Sequence, residues 1–125
     1  MSKLETPLTE RFWNGQGTLV LEYLAVRGSK TRGKRLIDGV ILPDGPATKA
    51  HWRDVDILGK DIICVQTKAK RLCMYLLGQA VFSKEILLKE CGAKSVRTVA
   101  LCVQDDDVLR PLAEDMGVEV VVMPL

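Results

Sequence analysis

Histidine is nearly absent from this sequence: His51 is the only one, and no cysteine lies near it. That pattern argues against a zinc site built from histidine and cysteine. Cys64, Cys73, Cys91 and Cys102 form no C-x-x-C pair, and three of them sit in apolar stretches. They read as buried, reduced thiols, not as a disulfide framework. No apolar run is long enough to span a bilayer. Met1 to Glu10 is polar and has no signal-like apolar centre. The reading expects a protein inside the cell, in the cytoplasm, with no membrane partner. Large charge excess is missing too, since the formal net charge is only +2. The chain as a whole is no polycation.

What is present is an ordinary globular balance, 47% hydrophobic and 27% charged over 125 residues. This length suits one domain, residues 1–125, with a core of useful size. The charge is unevenly placed. Arg27, Lys30, Arg32, Lys34 and Arg35 fall in a glycine-containing stretch without an acid. Lys68, Lys70 and Arg71 make a second basic cluster, and acids gather at Asp105–Asp107, Glu114 and Asp115. A basic face for phosphate is thereby permitted.

Pattern along the chain gives helix, three strands, helix, strand, helix, strand. Pro7 to Asn14 reads as a helix capped by Thr6. Thr18–Val26 and Arg35–Leu42 read as strands, and Ala47–Lys60 as an irregular excursion. Asp61–Thr67 is a third strand, and Arg71–Cys91 a long helix stopped by Gly92, with Tyr75 and Phe82 on its apolar repeat. Val96–Val103 is a strand apolar on both faces. Asp105 is expected to cap a short helix reaching Met116, and Val118–Met123 closes as a strand. Alternation of strand and helix in the second half predicts an α/β fold with parallel crossovers in a mixed sheet flanked by helices.

Three polar residues interrupt core-like strands. Asp38 breaks the run Leu36 to Leu42, and Gln66 and Lys68 follow Ile62 to Val65. Period two puts Gln66 and Lys68 on one face. With the second and third strands adjacent, an acid, an amide oxygen and an ammonium would meet. A carboxylate and an amide oxygen are hard ligands for a magnesium-sized ion, and a lysine beside them can stabilise an attacked phosphate. An Asp–Lys salt bridge with Gln66 as hydrogen-bond partner would explain the same pattern structurally.

Asp38 together with Gln66-Thr67-Lys68 resembles the two half-motifs of the PD-(D/E)XK nuclease superfamily, which includes restriction-endonuclease-like and Holliday junction resolvase-like members. The element order from the first helix to Val103 fits its αβββαβ core, here with an extra C-terminal helix and strand. Ile37 stands at the proline position of the motif, and Gln66 replaces the usual acid. The resemblance implies a Mg2+- or Mn2+-dependent endonuclease acting on DNA. Asp38, Gln66 and Glu22 would hold the ion, and Lys68 would assist the attacking water. Glu22 is preferred to Glu10 as the extra acid, because it sits inside an apolar strand. Lys30, Arg32, Lys34, Arg35 and Lys70 would grip DNA phosphates. Cutting two strands would call for a homodimer. The alternative is a nucleic-acid-binding or subunit-interaction module on the same fold, its catalysis lost with the acid.

Overall fold

In the computed structural model, which describes all residues 1–125, three helices flank a six-stranded mixed sheet. Helix α1 is Glu5–Trp13. It is followed by β1 (Thr18–Val26), β2 (Arg35–Leu42) and a short β3 (Thr48–Ala50). Then come β4 (Asp61–Arg71), α2 (Met74–Lys89), β5 (Ser95–Gln104), α3 (Leu109–Asp115) and β6 (Val118–Val122). The strand order is β3-β1-β2-β4-β5-β6. β1, β2 and β4 are an antiparallel meander, and β5 and β6 are added in parallel to β4. The α/β class and the mixed sheet expected from the strand–helix alternation are both present.

Each face of the sheet buries its own apolar set. Leu8 of α1 packs on Leu19, Ile41, Val65, Val99 and Leu101. On the other face, α2 and α3 bring Leu76, Ala80 and Ala113 onto Ala100, Cys102, Val118 and Val120. β5 is covered on both sides, so Thr98 to Cys102 are all buried, as a central parallel strand requires.

Several boundaries differ from the sequence reading, each for a local reason. Helix α1 begins at Glu5, and its cap comes from Ser2 instead of Thr6. Ser2 Oγ accepts from Glu5 N–H, and the Glu5 carboxylate accepts from Ser2 N–H, a reciprocal capping box. The excursion from Ala47 to Lys60 is partly regular, because Thr48–Ala50 pairs with β1 at the sheet edge and Trp52–Asp54 is one 3-10 turn. β4 runs past Thr67 to Arg71, since Lys68 and Arg71 still pair with Cys102 and Gln104 across an irregularity. α2 therefore starts at Met74, and Lys70 and Arg71 are strand residues. α3 is capped by Asp106, whose Oδ1 accepts from Val108 and Leu109 N–H, not by Asp105. On α2 the buried stripe is Leu76, Ala80, Ser83 and Leu87. Tyr75 and Phe82 are 67% and 70% exposed.

The β1–β2 hairpin rolls over midway. Strict alternation places residues three apart on opposite faces. Val20 and Tyr23 nevertheless share one core cluster with Leu87 of α2, and so do Ile37 and Val40. The phase changes at Glu22 on β1 and at Asp38–Gly39 on β2, where the ladder between Leu21↔Gly39 and Tyr23↔Ile37 lacks its central pair. Gly39 permits close approach of α1: a Cβ there would come within 3.1 Å of Thr9 Cγ2.

Candidate functional site

β2 and β4 are paired from Gly39↔Val65 to Ile41↔Ile63, and Asp38 and Gln66 lie just beyond. There the strands exchange side-chain contacts in place of the ladder. Asp38 Oδ2 accepts from Thr67 N–H at 2.9 Å, and Asp38 N–H donates to Gln66 Oε1 at 3.4 Å. The two halves of the motif thus meet as neighbours. Asp38 is half-buried, and its second carboxylate oxygen makes no protein hydrogen bond.

Burial is the largest influence on Asp38 and pushes its pKa up. The Thr67 N–H and the Met1 ammonium work the other way, and the nearby Glu5 and Glu22 add to the rise. The corner therefore gathers the Asp38, Glu5 and Glu22 carboxylates near the Met1 ammonium, with the Lys68 charge acting on Glu5. Met1 N donates to Glu22 Oε1 at 2.9 Å. Glu5 Oε2 accepts from Ala69 N–H at 3.3 Å. Desolvation is the largest influence on Glu5, yet its hydrogen bonds to Ser2 and Ala69 and the charge of Lys68 hold its pKa below the usual value.

Glu22 adopts φ 51°. A left-handed conformation costs a non-glycine residue about 1–2 kcal/mol. Its carboxylate is exposed beside Met1, so the charge noticed inside an apolar strand is turned outward by the rollover. Glu10 is elsewhere, paired with Lys49 of β3. Glu5, which the sequence reading did not single out, is the α1 acid at the corner. Its signals were the Ser2-x-x-Glu5 capping pattern and the (i, i+4) spacing to Thr9, which is buried and bonds Thr67 Oγ1 at 2.7 Å.

Gln66 is 2% exposed. Its Nε2 donates to Ser83 Oγ of α2 at 2.7 Å, while Oε1 faces Asp38 N–H. Both ends of the amide are engaged, which makes Gln66 a strut between β2, β4 and α2. Lys68 forms no ion pair with Asp38. Its Nζ lies 5.2 Å from the centre of the Tyr75 ring, within cation–π reach.

The basic segment between β1 and β2 is exposed throughout Arg27 to Arg35. Arg32 contacts Glu90 at 3.4 Å. Lys30, Lys34, Arg35, Lys70 and Arg71 form no salt bridge in the protein. Arg35, Gln66, Tyr75, Gln79, Phe82 and Ser83 are among the residues lining a groove of about 620 Å³ between the hairpin and α2.

Other polar residues have structural posts. His51 Nδ1 accepts from Arg53 N–H and caps the 3-10 turn. Asp56 Oδ1 accepts from Leu58 N–H. Trp52 packs against the core and lies 5.1 Å from the Arg53 guanidinium. Burial pushes the Cys64 thiol up to about 12, so it stays protonated and inert.

The fit of these residues to a magnesium-sized ion is uneven. No three acidic, histidine or cysteine side chains converge as a ready-made cage. Gln66 is buried, and its Oε1 already accepts from Asp38 N–H at 3.4 Å. Asp38 keeps one carboxylate oxygen unengaged, in surroundings with an excess of carboxylate. Mg2+ is commonly held by one or two carboxylates with waters and substrate phosphate completing its shell; Asp38 offers one such oxygen, while Glu22 Oε1 is engaged by the Met1 ammonium. The chain matches no protein-family model, no curated protein and no solved structure.

Proposed function

We propose that the protein is a metal-dependent phosphodiesterase acting on DNA, with its site at the Asp38–Lys68 corner. The observation that carries this reading is the meeting of the two half-motifs: the Asp38 carboxylate sits on the Thr67 N–H, next in the chain to Lys68. Asp38 and Glu22 would hold a Mg2+ or Mn2+ ion. Such an ion supplies a water of lowered pKa and offsets charge on the attacked phosphate. Asp38 offers an anionic oxygen whose direction is fixed by the Thr67 N–H. Gln66 holds the Asp38 backbone and is a positioning residue, a change from the ligand role expected of it. Lys68 supplies positive charge to the phosphate from a ring-supported position. Lys30, Arg32, Lys34, Arg35 and Lys70 grip flanking phosphates without reading bases.

The engaged amide of Gln66 favours one second reading, a nucleic-acid-binding module that keeps the basic segment and lacks cleavage. Incubation with supercoiled, linear, single-stranded and branched DNA separates the two. The first reading expects cleavage with magnesium or manganese, none with chelator, and none with Lys68→Ala, which still binds DNA. Salt-sensitive retention of DNA by the unaltered protein, with no cleavage under either metal, supports the second. A protein that neither cuts nor retains DNA overturns both.

A further inference from the structure

α2 leaves two aromatic rings uncovered beside the Asp38 corner. Tyr75 and Phe82 are both largely exposed, and both line the groove of about 620 Å³ between the hairpin and α2. That volume lies within the range of small-ligand pockets. Gly78 lies between the rings, in the interior of α2. Glycine weakens a helix interior relative to alanine, and packing does not demand it here, since a Cβ at Gly78 would meet no atom within 4 Å. What glycine does permit is close approach of a ligand to the backbone. The polar groups of the groove are also disposed for a ligand. Gln66 and Ser83 occupy each other, whereas the Gln79 amide has no such partner. The Arg35 guanidinium donates only to the Lys34 carbonyl, and no acid lines the groove. Rings, a free amide and a guanidinium supply stacking, edge hydrogen bonds and phosphate contact, the needs of an unpaired nucleotide. Tyr75 joins the groove to the corner, because its ring centre lies 5.2 Å from Lys68 Nζ.

We propose that this groove takes an unpaired nucleobase, so that the substrate is a single-stranded stretch of DNA and not an intact duplex. The proposal rests on the reading of the Asp38–Lys68 corner as a DNA site. A base lying over Gly78 stacks on Tyr75 and Phe82, and the Gln79 amide meets its edge. Arg35 and Lys68 take the phosphates on either side. Inside a duplex the faces of the bases are covered by their neighbours, so rings on a protein reach them only where the strand is open. The one charged lining residue is a cation, and the charge against the Tyr75 ring is another. That sign favours a polyanion over an apolar segment of protein.

Fluorescence anisotropy of the full chain in chelator tests it, with labelled oligothymidylate, an abasic strand and a duplex, all of one length. The unaltered protein should hold oligothymidylate about tenfold or more tighter than either of the others. Phe82→Ala removes an exposed ring, and Gly78→Leu fills the floor of the groove where a Cβ meets open space. Each should lower oligothymidylate affinity about tenfold and leave abasic and duplex affinity and the circular dichroism unchanged. Equal affinity for the abasic strand, tighter binding of duplex, or variants that bind oligothymidylate like the unaltered chain overturn the proposal. Tighter binding of the RNA counterpart overturns it in favour of RNA. A lower sedimenting mass in Phe82→Ala at unchanged DNA affinity overturns it in favour of a protein. Cleavage with Mg2+ is scored separately. Base-dependent binding without cleavage keeps the groove and removes the nuclease reading, while cleavage of duplex without base dependence does the reverse.

Discussion

Asp38 carries an internal conflict that can be measured. Burial, its largest influence, raises its pKa above the value of an exposed aspartate. A folded-state pKa above the unfolded one means that the folded chain holds the proton more tightly. The stabilisation by the protonated form is full below the unfolded pKa and is lost as pH rises through the folded one. Asp38→Asn keeps an oxygen for the Thr67 N–H and removes the charge. It should raise the melting temperature at neutral pH, with the gain shrinking to nothing in acid, while abolishing cleavage. An unchanged or lower melting temperature at neutral pH would contradict the burial argument. Gln66 makes the opposite case, a buried amide with both ends satisfied. Ser83→Ala leaves its Nε2 without an acceptor and should cost about 1–3 kcal/mol in urea unfolding. Gln66→Glu places a second carboxylate against Asp38 in a buried site. It should lower stability without metal and make thermal stability respond to added Mg2+. No magnesium response in this variant would remove the corner as a cation site.

At the scale of elements, the β1–β2 hairpin joins fold to function. Its connection presents cations that are mostly unpaired, and its rollover turns Glu22 and Asp38 out of alternation. Neutralising Lys30, Arg32, Lys34 and Arg35 together should flatten the dependence of log affinity on log salt, by about 0.9 for each lost contact to duplex DNA. Nitrocellulose filter binding at several salt concentrations reads this directly, and an unaltered slope would place the grip elsewhere. Both hairpin strands were legible in the sequence with their observed ends, Thr18–Val26 and Arg35–Leu42, because apolar runs and turn residues bound them. The rollover was not: Leu, Val and Ile occupy both faces, and Glu22 and Asp38, where the phase changes, read as acids of a site within strict alternation. The end of β4 was missed because Lys68–Arg71 is held by parallel pairing to β5, a contact distant in sequence. The exposed Tyr75 and Phe82 share a helical period with the core stripe, and periodicity alone cannot tell which apolar face is covered.

For the molecule as a whole, strand–helix alternation was enough to give the mixed α/β sheet with helices on both faces. The pairing of Asp38 with the Gln66–Lys68 strand followed from two polar interruptions in apolar runs. Glu5 could not be placed, because its position depends on how α1 crosses the sheet over Gly39. The placement also shows what holds the corner together. Thr9 bonds Thr67 from one face, Ser83 bonds Gln66 from the other, and Asp38 ties the strands between them. Both helix layers thus fix the two half-motifs, and this arrangement suits a site that must not move while phosphate is attacked. The central claim is that this corner cleaves DNA with a divalent ion. It is tested most directly by a single assay of supercoiled DNA with Mg2+ or Mn2+, comparing the unaltered protein with Asp38→Asn and Lys68→Ala. The account predicts nicked or linear product from the unaltered chain alone, lost with chelator, while both folded variants still bind DNA. Intact DNA in every lane, or equal cleavage by all three proteins, would contradict it.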